Sequence, residues 1–202
     1  MFCLTVSSDP EWAVAALADL DAVLADHAHC EMKAASNALS LAARHPEFPS
    51  IVVALTNLAR EEIDHFQEVY AWLGRRNVDL GPPAKDPYVV ALRRALSDLT
   101  ATSLSPLVDR LLVAALIEAR SCERFKMIVD ALEGKSLEGL RALYVRLFAD
   151  EARHYRTFVD LASVAAHGEV AQVTARLADL AVVEGRFISR LAREAPRRTV
   201  HG

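Results

Sequence analysis

The chain has 202 residues, with 23 Lys and Arg against 27 Asp and Glu and a formal net charge of −4, which fits one domain and excludes a global basic field for binding nucleic acid. Hydrophobic residues make up 52%, enough for a sizeable core, yet no apolar run approaches the roughly 20 residues that span a bilayer. The three cysteines, Cys3, Cys30 and Cys122, form no Cys-x-x-Cys pair. That excludes a disulfide framework and a cysteine-held zinc or rubredoxin-type site; without a signal-peptide pattern at the N-terminus, a cytoplasmic protein with no membrane attachment is expected.

Ser8-Asp9-Pro10 marks a helix start, a capping side chain followed by Pro where a missing N–H costs nothing. A short helix follows, then a long one over about residues 19–45, with the inward stripe Leu20, Leu24, His27, Glu31, Ala34 or Ala35, Ala38 and Leu41. Pro49 opens a second long helix, to about residue 75, with the stripe Val52, Leu55, Leu58, Glu62, His65, Val69 and Trp72. Gly74 and the Gly- and Pro-containing stretch 77–83 break it, and residues 74–104 form a long connection with a helix near 87–99. Ser105-Pro106 starts a third long helix, to about residue 132, along Leu107, Leu111, Ala114, Glu118, Cys122 and Phe125. Gly134 stops it, and Ser136 is expected to cap a fourth, to about residue 167, along Leu140, Tyr144, Leu147, Glu151, His154, Phe158 and Leu161. After Gly168 a last helix, about 170–194, carries Val173, Leu177, Leu180, Val183 or Glu184, Phe187 and Leu191. The tail 196–202, with Pro196-Arg197-Arg198, is expected to fray. No strand pattern occurs. Short loops make each long pair antiparallel, so the expectation is all-α: one domain over 1–202, a four-helix bundle with a long crossover and additional flanking helices.

Each of the four long helices has an acid interrupting its apolar stripe: Glu31, Glu62, Glu118 and Glu151. A buried carboxylate must be neutral, paired or bound to metal. Glu62 and Glu151 are each followed three residues on by a histidine, His65 and His154, on the same helix face one turn away. Glu31 precedes Glu62 by 31 residues and Glu118 precedes Glu151 by 33, so each half supplies a lone Glu and then a Glu-x-x-His. Four Glu and two His are the ligand set of a ferritin-like two-metal carboxylate bundle, and oxygen-rich ligation suits iron or manganese better than zinc or copper. Glu123 competes with Glu118, but lies about 140° away around the helix from the apolar stripe, so Glu118 is preferred. Asp150 and Glu61, each directly before a Glu-x-x-His, are candidates to orient a ligand histidine from a facing helix, Asp150 toward His65 in particular. His27, one turn before Glu31 on the same face, reads first as a packed, hydrogen-bonded histidine, with a place at the border of the metal pocket as the alternative. Cys30 and Cys122 read as small core fillers and Tyr144 as core.

The stretches Asp26-His27-Ala28-His29-Cys30-Glu31-Met32-Lys33-Ala34-Ala35, Ile117-Glu118-Ala119-Arg120-Ser121-Cys122-Glu123-Arg124-Phe125 and Asp150-Glu151-Ala152-Arg153-His154-Tyr155 together closely resemble the tRNA 2-methylthio-N6-isopentenyladenosine hydroxylase family. The resemblance runs over about residues 8–193. It implies a ferritin-like non-haem di-iron monooxygenase that hydroxylates the isopentenyl group of a hypermodified adenosine beside the tRNA anticodon. It implies two iron ions, with manganese as the alternative metal, held by Glu31, Glu62, His65, Glu118, Glu151 and His154. The partners implied are tRNA, O2 and an external electron donor, because the chain shows no nucleotide fingerprint, flavin motif or cysteine cluster of its own. A monomer or small homo-oligomer is expected.

Arginine outnumbers lysine 19 to 4. That is first of all what a bias toward Arg and Ala codons gives, and it also suits phosphate contacts. Arg75-Arg76 and Arg93-Arg94, in or beside the long connection, and Arg197-Arg198 in the tail are the candidate tRNA contacts. The same ligand pattern also serves a ferroxidase or iron-storage protein, which would usually assemble as a cage, and another di-metal oxidase such as a manganese catalase. A metal assay, a size measurement and turnover of prenylated tRNA separate these readings from one another and from a purely structural bundle.

Overall fold

The computed structural model describes residues 2–84, 87–99, 102–194 and 200, with backbone alone at 95, 97, 98 and 191–194. Among the described residues there are seven helices and no strand. They are α1 (Glu11–Ala18), α2 (Leu20–Arg44), α3 (Pro49–Arg75), α4 (Pro87–Asp98), α5 (Pro106–Ala131), α6 (Glu138–Ala165) and α7 (Val170–Glu194). None of them is long and apolar enough to cross a membrane. The chain divides into two compact units, one built on the α2–α3 hairpin, the other on the N-terminal segment and α4–α7.

In the first unit, α2 and α3 pack along their length. The short link between them leaves no choice but an antiparallel pair, and Pro49 occupies the first turn of α3, where it is pre-organised for a helix. Leu24, Ala28, Ala35, Ala38 and Leu41 of α2 and Ile51, Leu55, Leu58, Val69 and Leu73 of α3 are buried. The inward stripe of α3 therefore runs to Ile51 and Leu73 at its ends rather than to Val52 and Trp72, which are half-buried. Gly74 stays helical. The helix ends at Arg75 with Arg76 as its C-cap; the next residue, Asn77, has a φ of 55° in the left-handed region, and the Val78 N–H donates back to Leu73 O at 3.0 Å, a turn that asparagine tolerates better than other residues with a side chain. The following loop lies along α2, with Gly81 O 3.2 Å from His29 Nε2 and Ala84 O accepting from Lys33 Nζ at 3.4 Å.

In the second unit, α5 and α6 form the other long hairpin, and α7 packs against α4, α5 and α6. Pro106 opens α5 behind an extended Ser105. Gly134, at φ 71°, turns the chain after α5. The expected cap at Ser136 is displaced: α6 begins at Glu138 with Leu137 as its N-cap. Its stripe, Leu140, Tyr144, Leu147, Glu151, His154, Phe158 and Leu161, is buried as expected. Helix α5 is buried on nearly every side, including Leu112, Val113, Ala115, Leu116, Ala119, Arg120 and Arg124 as well as the expected stripe, because α7, α4 and the N-terminal segment cover what α6 does not. On α7 the inward residue of the last described turn is Ile188, and Phe187 is half-buried. The side chain of Leu191 lies outside the described residues, as do Arg197, Arg198 and the rest of the tail except Val200, whose N–H donates to Asp26 Oδ2 at 2.7 Å.

Candidate metal centre

The α2–α3 hairpin brings Glu31, Glu62 and His65 to one buried face. His65 Nδ1 lies 3.3 Å from Glu62 Oε2, one turn earlier on the same helix, and 3.8 Å from Glu31 Oε2 across the hairpin. His27, fully buried, adds its Nε2 at 2.5 Å from Glu31 Oε1. The packed, hydrogen-bonded histidine read from the sequence is therefore bonded to a member of the candidate ligand set itself.

The α5–α6 hairpin repeats the pattern. Glu118 projects from α5, and Glu151 and His154 sit one turn apart on α6 with His154 Nδ1 3.6 Å from Glu151 Oε2. The thiol of Cys122 is pushed up by burial and by the Glu151 carboxylate, which makes it an inert packing group, not a thiolate ligand. Tyr144 packs edge-on against Phe125 with ring centroids 5.2 Å apart.

All six acids and imidazoles are between 0 and 5% exposed, too dry for solvation to support four carboxylates as free anions. Each hairpin offers a buried Glu and His one turn apart, Glu62 with His65 and Glu151 with His154, residue types that hold a metal ion. Oxygen-rich donors with two imidazoles fit iron or manganese.

The opposite face of α5 holds a different polar cluster. Arg120, fully buried, donates from Nε at 2.9 Å and from Nη2 at 2.7 Å to Glu184 Oε1 of α7. Its Nη2 also reaches Val6 O at 3.0 Å, and its Nη1 reaches Ser8 Oγ at 3.2 Å and pairs with Glu123. Tyr88 of α4 donates its hydroxyl to Glu184 Oε1 at 3.0 Å. Burial pushes the Glu184 carboxyl up, and Arg120 pulls back only part of that shift. Glu123 accepts from the Ser8 N–H at 3.1 Å and the Ser8 hydroxyl at 2.6 Å. Burial would raise its carboxyl, but Ser8 and Arg120 outweigh that and hold it below its ordinary value. Glu123, the rival of Glu118, is thus already committed to an arginine and a backbone N–H. Arg124 lies with its guanidinium 4.2 Å from the Trp12 ring centroid, and among the described residues its Nε and Nη1 find no hydrogen-bond partner. In the motif Ile117-Glu118-Ala119-Arg120-Ser121-Cys122-Glu123-Arg124-Phe125, then, Arg120, Glu123 and Arg124 anchor the N-terminal segment and Arg120 also ties α5 to α7. Sequence reasoning missed this cluster; its signal was two buried-side arginines beside Glu123, and an acid, Glu184, on the inward side of α7.

Asp150 is half-buried and accepts from Arg153 Nη1 of its own helix at 2.7 Å, and Glu61 is half-buried. Arg75 is exposed, with its guanidinium 4.9 Å from the Trp72 ring centroid, and Arg76 pairs with Asp21. Arg93 and Arg94 are exposed on α4.

Comparison with known proteins adds the following. The family profile tRNA-(MS2IO6A)-hydroxylase (MiaE) matches residues 2–199. The tRNA 2-(methylsulfanyl)-N(6)-isopentenyladenosine(37) hydroxylase of Pseudomonas putida is 43% identical over 151 residues, 75% of this chain and 70% of that protein. The Salmonella typhimurium protein of the same name is 33% identical over 105 residues, 52% of this chain and 36% of that protein. Among solved structures, Protein 43 with aldehyde deformylating oxygenase activity from Synechococcus superposes with a TM-score of 0.85 at 33% identity, covering 100% of this chain and 96% of that one.

Proposed function

The chain belongs to the tRNA-(MS2IO6A)-hydroxylase (MiaE) family, and from that premise we propose that it is an oxygen-dependent di-iron monooxygenase acting on the isopentenyl group of 2-methylthio-N6-isopentenyladenosine in tRNA. Its ferritin-like, all-helical fold is that of proteins that do oxygen chemistry at carboxylate metal centres. The observation that carries the metal reading is the repeated half-site: a lone buried Glu facing a buried Glu-x-x-His in each of two hairpins. Glu31, Glu62 and His65 from one hairpin and Glu118, Glu151 and His154 from the other would together hold two iron ions. With iron bound, the pair supplies the electrons by which O2 and two protons become one inserted hydroxyl oxygen and one water.

The chain's own contribution starts from its donor set. Carboxylates have two oxygens each and can hold one or two cations, and His65 and His154, one turn from Glu62 and Glu151, would add a nitrogen donor on the same helix face. The apolar residues of the same inward stripes, Leu24, Leu55, Leu58, Leu111, Leu147 and Phe158, are buried and would keep each half-site dry. The substrate base would come from a loop, where unpaired bases can splay out, and exposed Arg75, Arg93 and Arg94, with Arg76, would contact its phosphates. The reducing electrons come from an external donor.

The test is turnover. Purified, iron-loaded and chemically reduced protein is incubated under oxygen with prenylated tRNA, and nucleoside digests are read by mass spectrometry. Conversion to the hydroxylated nucleoside supports the function. Unmodified tRNA from a preparation that rapidly oxidises free ferrous iron and assembles as a cage would favour a ferroxidase.

A further inference from the structure

The two half-sites differ one turn before their lone glutamate. In α5 the residue four before Glu118 is Ala114, which has no polar side-chain atom; in α2 it is His27. His27 is fully buried, and its Nε2 lies 2.5 Å from Glu31 Oε1. With Glu31 ionised, its carboxylate only accepts, and Nε2 is then the donor in this bond. The other oxygen, Glu31 Oε2, is the one facing His65, at 3.8 Å from its Nδ1. One oxygen of Glu31 is thus held from the protein side while the other is presented to the ligand face. A glutamate has three rotatable bonds, and a charge-assisted hydrogen bond is strong enough to select among its rotamers.

We propose that His27 is a positioning residue of the metal centre, one that fixes the Glu31 carboxylate through Oε1 so that Oε2 serves the cation beside His65. The inference rests on the metal reading above. A buried imidazole must satisfy its ring N–H, and here the partner is the acid of α2 that faces the ligand histidine.

The test uses the full-length protein stripped of metal and titrated with cobalt(II), followed by the visible absorption of the bound ion, with far-UV circular dichroism as a check on folding. Wild type should take up about two equivalents. His27→Phe, which fills the space without a donor, should weaken one of the two binding steps by about 10–100-fold and shift its absorption band, as loss of an outer partner of a ligand does. His27→Gln, whose amide N–H can take the place of Nε2, should restore both. Wild-type and His27→Phe isotherms and spectra that coincide would overturn the proposal, as would a folded His27→Gln that is as defective as His27→Phe. A wild-type chain that takes up no cobalt overturns the metal reading and this proposal with it, whereas failure of His27→Phe to differ leaves the metal reading intact.

Discussion

The two faces of α5 bury acids in opposite ways. On one, Glu123 and, across from it, Glu184 meet the guanidinium of Arg120, the hydroxyls of Ser8 and Tyr88, and the Ser8 N–H. Negative charge there is matched inside the protein. On the other face Glu118 shares its hairpin with Glu151 and His154, and α2–α3 repeats the arrangement with Glu31, Glu62, His65 and His27. This second set holds no arginine or lysine, so it is short of fixed positive charge. On the proposed reading the difference separates two uses of a buried acid: a carboxylate matched by an arginine is structural, and a carboxylate set beside histidines would take up a metal ion.

The sharpest way to break this comparison is to delete one acid from the second set. Glu118→Ala should bind less metal and lose turnover by more than the roughly 10–100-fold that removing an outer partner costs, while its helical circular dichroism stays intact. Metal stoichiometry by elemental analysis checks it; an unchanged ratio would move the ligand role to Glu123. In the first set, Arg120→Ala should leave Glu184 buried without its guanidinium and cost about 3–5 kcal/mol. Urea unfolding of the metal-free chain reads this directly and separates it from any loss of metal.

A smaller effect is expected at Gly185. A Cβ there would sit 2.5 Å from Thr5 Oγ1 and 2.8 Å from Val6 Cγ2, so the N-terminal segment that Arg120 pins must shift. Gly185→Ala should cost about 1–3 kcal/mol, visible as a lower melting temperature with metal content unchanged. Least of all is the expected change from arginines that lack the buried setting of Arg120. Replacing exposed Arg93 and Arg94 together by Ala should weaken tRNA binding and make it less sensitive to salt. The log–log slope should fall by about one for each phosphate that these arginines neutralise, with stability and metal content preserved. Binding isotherms at several salt concentrations check it.

The helices and the two Glu-x-x-His half-sites were legible in the sequence because both are local. A stripe at steps of three and four names the buried face, and an acid within it stands out against its neighbours. What stayed hidden depends on distant segments. The near-complete burial of α5 comes from α4, α7 and the N-terminal segment folding over it, which a one-face reading of periodicity does not anticipate. The pair Arg120–Glu184 joins residues 64 apart, and no spacing rule links them. On α7 the apolar pattern gave Phe187 as the inward residue, but packing buries Ile188 and leaves Phe187 half-buried. At Ser136 a good capping residue lost to a start two residues later, because the Leu137 N–H turns back to Lys135 O at 2.7 Å. His27 was visible as a buried histidine, but its bond to Glu31 required the side-chain geometry.

The most direct measurement is anomalous diffraction at the iron absorption edge from crystals of the iron-loaded protein. Two neighbouring peaks are expected, bounded by Glu31, Glu62, His65, Glu118, Glu151 and His154, with no peak near Glu123 or Glu184. A chain that holds no iron at these six residues, or that holds it beside Glu123, would contradict the division between acids matched by arginine and acids that take up metal.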